Sequence, residues 1–120
     1  MTKSYFRYSE FDSPDIPDSG SNMQPSFLRM LNHARQIAGI PFKINSGFRS
    51  QEHNKKVGGT ETSSHLTGHA ADIHCTSSTY RYEIISALLQ AGFNRIGIAE
   101  TFIHVDNDPN KTQKVIWTYA

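Results

Sequence analysis

The chain has 120 residues, 37% of them hydrophobic and 19% charged, with 12 basic side chains against 11 acidic ones. That length supports one packed core and not two. A formal net charge of +1 gives no basic surface of the kind that nucleic-acid binding needs. No apolar run reaches the roughly 20 residues that cross a bilayer, so no membrane insertion is expected. Residues 1–8 lack the apolar centre of a secretory signal, and the chain is expected to be cytoplasmic as synthesised. The lone Cys75 excludes an internal disulfide and reads as a small core residue.

Residues 9–22 are rich in Ser, Asp, Pro and Gly and lack periodicity, which predicts a loop-rich segment packed on the surface of a core domain at 23–120. Over residues 23–38, Phe27, Leu28, Leu31, Ala34, Ile37 and Ala38 recur at helical spacing. Pro25 suits the first turn of that helix and Gly39 its end. Residues 42–46 alternate as a strand does, and residues 50–56 read as a short polar helix closed by Gly58 and Gly59. A strand over 70–75 follows, then a helix capped within Ser77, Ser78 and Thr79 that carries Ile84, Ile85, Leu88 and Leu89 and ends at Gly92. Three short strands at 95–99, 102–106 and 115–119 read as an antiparallel meander. The class is α+β, with helices packed on one face of a mainly antiparallel sheet.

The chemistry concentrates in Ser63-Ser64-His65-Leu66-Thr67-Gly68-His69-Ala70-Ala71-Asp72 and in Phe102-Ile103-His104-Val105-Asp106. Two imidazoles and one carboxylate suit a catalytic zinc, because three protein ligands leave a fourth position open. Alternate residues share a face of a strand, which groups Ala70, Asp72 and His74, and likewise Phe102, His104 and Asp106. If the two strands are neighbours, Asp72 and His104 converge and His65 reaches in from the loop, with Gly68 supplying a tight turn. Spacing leaves His69 and His74 as further ligand candidates, His74 the stronger because it shares a face with Asp72. It also leaves open the blander reading in which all of these are ordinary polar residues. His33 and His53 read as surface residues.

These strings, together with Ser46-Gly47-Phe48-Arg49-Ser50 and Gly58-Gly59, resemble the zinc D-alanyl-D-alanine carboxypeptidase family (peptidase M15-like). That family includes vancomycin-resistance dipeptidases and phage endolysins and shares its fold with the Hedgehog signalling domain. The likeness runs in order over residues 23–117. It implies that His65, Asp72 and His104 bind one Zn2+ per chain and that Arg49 holds the substrate and polarises its carbonyl. A planar guanidinium suits a peptide carbonyl or a terminal carboxylate. Ser63 and Ser64 either hydrogen-bond substrate or cap the turn, and Gln51 and Asn54 are weaker candidates to line the site.

The implied reaction is metal-assisted hydrolysis of an amide in a peptidoglycan stem peptide, by a monomer. It is either removal of a terminal D-alanine or endolysin-type cleavage within the stem, the latter fitting a phage lysis protein. Better-known members place an acidic residue three positions before the final histidine, and here that position holds Thr101. Asp106 is the first candidate for the base and Glu100 the second. Asp106 has an alternative role, orienting His104 by a hydrogen bond. The rival class of function is a zinc-stabilised cell-wall-binding or structural module without turnover.

Overall fold

The computed structural model describes residues 4–119. Helix α1 (Pro25–Ala38) starts on Pro25, whose missing N–H is no loss in a first turn, and stops at Gly39, which takes φ 69°. Its buried stripe is Phe27, Leu31 and Ala34. Helix α2 (Gln51–Lys56) is capped by Ser50, whose hydroxyl accepts the His53 N–H, and α3 (Ser78–Gln90) by Ser77, which accepts from Tyr80. Ile84, Ala87 and Leu88 are the buried residues of α3, while Leu89 turns outward.

Five strands form one sheet in the order β1-β2-β4-β3-β5. They are β1 (Ile44–Ser46), β2 (Ala70–His74), β3 (Arg95–Ile98), β4 (Phe102–Asp106) and β5 (Val115–Thr118). The first three neighbour pairs are antiparallel, but β5 lies parallel to β3. The sheet is therefore mixed, and the expected antiparallel meander of the last three strands does not form. Both edges of β4 are already taken by β2 and β3, so the returning strand joins the free edge of β3, where its direction matches.

The two faces of the sheet have opposite chemistry, as a period of two dictates. Ala71, Ile73, Ile96, Ile103 and Val105 are all fully buried and pack in one cluster with Phe27, Leu31, Ile84 and Leu88. Asp72, His104 and Asp106 alternate with them on the opposite face. Cys75 belongs to the core cluster, as its place in the sequence suggested.

The N-terminal segment is more than a surface loop. Its two short 3-10 turns, Tyr8–Phe11 and Ser19–Asn22, are joined by Asp12, which accepts N–H groups from Asp18 and Gly20. Phe11 is fully buried in the core, and its carbonyl accepts the Phe48 N–H at 2.9 Å. A segment poor in apolar residues still contributes one large aromatic ring, and periodicity cannot register a single anchor. Among the described residues no helix is long and apolar enough to cross a membrane.

Candidate metal centre and cleft

Asp72 and His104 sit directly opposite each other on β2 and β4. His65 approaches from a 3-10 turn, Ser64–Thr67, that ends on Gly68 at φ 76°. There a side chain would strike the Asn22 carbonyl oxygen at 2.2 Å, so only glycine lets the chain leave the turn and enter β2. Asp72 Oδ1 lies 3.3 Å from His65 Nε2 and 3.0 Å from His104 Nδ1. One donor atom from each residue falls within 4.8 Å of the others, and all three residues are buried.

The tautomers follow from the partners. His65 Nδ1 is 2.7 Å from the Gly47 carbonyl, which can only accept, so Nδ1 carries a proton and Nε2 is the nitrogen that faces Asp72. His104 stands between two carboxylates, with Nδ1 toward Asp72 and Nε2 at 2.8 Å from Asp106 Oδ2. Burial opposes charge on His104, yet its hydrogen bonds to Asp106 and Asp72 hold it above the ordinary imidazole range. Asp72 is buried too, but hydrogen bonds from His104 and His65 keep it well below the usual carboxylate value. The same competition lowers Asp106, through His104 and Arg95.

This donor set fits a divalent cation with an open side. It has two imidazole nitrogens free of structural protons or able to lose one, an ionised carboxylate, and a second partner fixing each ring. The open side faces a cavity of about 350 Å3.

Arg49 borders that cavity from the turn after β1. Its Nε donates to Ser46, Nη1 to Asn54 at 3.2 Å and Nη2 to Asp72 Oδ2 at 3.4 Å. Asn54 is itself buried and donates to the Thr60 carbonyl, so it braces the arginine and does not line the cleft. Gly59 exists for that brace, since an added Cβ would meet Asn54 Oδ1 at 2.0 Å. Ser63 caps the turn by accepting the His65 N–H. Ser64 is buried with its hydroxyl on Asp108 Oδ2 at 2.7 Å, an internal tether.

Several expected members lie elsewhere. Gln51 is exposed in the first turn of α2 and is not on the cavity wall. Glu100 is exposed in the β3–β4 turn, also off that wall, because the turn sits beyond the end of β4 opposite to Asp106. His74 shares the Asp72 face as expected, but it is exposed two pairs further along, opposite Phe102. His69 pairs with the Thr67 hydroxyl. Neither joins the metal cluster.

Asp106 is on the His104 face but has no idle oxygen. Oδ2 takes His104, while Oδ1 takes Arg95 Nε at 2.6 Å and the Asp108 N–H at 3.2 Å. Arg95 also donates to the Thr112 carbonyl and lies over the Trp117 ring, 5.0 Å from its centroid. Sequence reasoning missed Arg95, Trp117 and Tyr119, all of which line the cavity. The available signals were the period of two along β5 and a glycine, Gly97, inside a strand, which marks a close approach.

The model of the family described as Peptidase M15 matches residues 5–106. The chain belongs to the peptidase M15 family. A zinc D-Ala-D-Ala carboxypeptidase of Streptomyces albus G is similar to it, 39% identical over 67 residues, which are 56% of this chain and 24% of that protein. The similarity thus spans about a quarter of that relative's length.

Proposed function

We propose that this M15 peptidase is a zinc enzyme that hydrolyses amide bonds in peptidoglycan stem peptides, as a D-Ala-D-Ala carboxypeptidase or an endolysin-type endopeptidase. The observation that carries the proposal is the convergence of His65, Asp72 and His104 at the wall of a cavity, with donor atoms within 4.8 Å of one another. His65 Nε2, Asp72 Oδ1 and His104 Nδ1 would hold the ion. When bound there, zinc supplies Lewis-acid polarisation of a carbonyl and a water acidified to a pKa of about 7.

The chain's own groups supply the rest. Arg49 reaches the cleft beside Asp72 with a guanidinium held at Nε and Nη1, and it can bind the substrate carbonyl or a terminal carboxylate through Nη2. Asp106 holds His104 with Nδ1 turned toward the metal position, and Arg95 keeps Asp106 in place. With both its oxygens engaged, Asp106 acts better as the group that orients His104 than as the base that takes a proton.

That engagement, together with Thr101 at the position where the better-known members of the family carry an acid, is the observation favouring a second reading, a zinc-stabilised wall-binding module without turnover. Digestion of defined muropeptides by the zinc-loaded protein, read by mass spectrometry with a chelated control, separates the two. Chelation-sensitive loss of one alanine or a cut within the stem is the expected result. Full zinc occupancy with every stem peptide intact selects the binding module.

A further inference from the structure

The cleft has a second wall, built by the edge strand β5. The triad lies on the central strands β2 and β4, and Arg49 enters from the β1 side. Trp117 and Tyr119 enter from the opposite edge, through the sheet order β1-β2-β4-β3-β5. The Tyr119 main chain is pinned where β5 ends, its N–H on the Ile98 carbonyl at 3.1 Å. Its ring packs on Phe102 at 5.4 Å between centroids, and Trp117 packs on His104 at 5.6 Å.

Gly97 makes this possible. It lies opposite His104 on β3, and a Cβ there would stand 2.6 Å from Trp117 Nε1 and 2.9 Å from Tyr119 Cε2. The missing side chain lets both rings lie down over the sheet at the histidine. Trp117 and Tyr119 line the cleft together with Arg49, His65, Asp72 and His104, so the phenol borders the same cavity as the three donors. A phenol O–H can donate a hydrogen bond as well as accept one.

We propose that Tyr119 is a catalytic hydrogen-bond donor, its O–H serving the carbonyl oxygen of the scissile amide as negative charge develops there. The inference rests on the peptidase reading above. Arg49 and Tyr119 then address the substrate from opposite sides of the three donors, and no proton changes owner in this role. Burial and the two nearby carboxylates hold the phenol above its usual value, so it stays protonated and able to donate at neutral pH. A donor aimed at a developing oxyanion acts more strongly on the transition state than on the bound substrate.

The test is Tyr119→Phe in the zinc-loaded protein, which removes one oxygen and keeps the ring. We expect kcat on a muropeptide to fall on the order of 10²-fold, with KM, zinc content and melting temperature close to wild type. Affinity for a phosphinate peptide mimicking the tetrahedral species, measured by calorimetry, should fall as well. Unchanged kcat and phosphinate affinity in Tyr119→Phe would overturn the proposal. If wild type binds zinc but cleaves no muropeptide, the peptidase reading fails, and equal phosphinate binding by the two proteins then overturns the role of Tyr119 independently.

Discussion

His104 Nε2 lies 2.8 Å from Asp106 Oδ2, two residues further along the same strand. Side chains at i and i+2 on a strand share a face, so β4 itself presents the imidazole and its carboxylate partner as a unit. Arg95, 2.6 Å from the other carboxylate oxygen, lies directly opposite Asp106 on β3. Three side chains on two paired strands thus fix which nitrogen of His104 faces Asp72.

Replacing Asp106 with Asn removes the charge that balances Arg95 and weakens the hold on His104. Zinc affinity should fall about 10- to 100-fold, the usual cost of losing a partner of a metal-bound histidine. Stability should fall by about 3–5 kcal/mol, because a largely buried arginine loses its counter-charge. Chelator competition and urea unfolding measure the two effects. Wild-type zinc affinity in this variant, with activity abolished, would return Asp106 to the role of base.

Gly47→Ala should disturb fold and site together. Its added Cβ would stand 2.6 Å from both Cα and Cβ of Phe11, a main-chain clash that no rotamer change relieves. A loss of about 1–3 kcal/mol is expected from such overpacking. The Gly47 carbonyl also fixes the His65 tautomer, so zinc affinity should drop in the same variant. Thermal unfolding and zinc titration check both, and a stable variant with unaltered zinc binding would contradict the coupling.

Phe11→Ala tests whether the N-terminal segment is part of the core. The ring is fully buried and meets Phe6 edge-on at 5.6 Å. Truncating a buried phenylalanine costs about 3–5 kcal/mol, which should appear as a lower urea midpoint. A change below about 0.5 kcal/mol, the range of ordinary surface substitutions, would mean that residues 9–22 only decorate the surface.

Much of this architecture was legible in the residues. The helical spacing of Phe27, Leu31 and Ala34, the cap at Ser77, and the stop at Gly39 are local signals, and local signals survive into the fold. The alternation in β2 and β4 foretold that Asp72 and His104 could share a face, and the pairing of those strands brings them opposite each other. Strand order was not legible, because nothing within residues 115–118 encodes which sheet edge is free. Tyr119 and Trp117 escaped notice for the same reason, since their approach to the cleft depends on β5 lying beside β3, while Arg95 depends on the β3–β4 register that sets it opposite Asp106. Thr101 drew attention to Glu100 and Asp106 as bases. Glu100 lies off the cavity wall and Asp106 has both its oxygens engaged, neither of which spacing can express.

The measurement that bears most directly on the account is zinc-edge X-ray absorption on the dialysed, zinc-loaded protein beside its His65→Ala variant. The account predicts one zinc per wild-type chain, with two imidazoles and oxygen donors around it. In the variant one imidazole is lost and affinity collapses. Wild-type protein that retains no zinc, or a variant with the same spectrum and stoichiometry as wild type, would contradict a metal centre built from His65, Asp72 and His104.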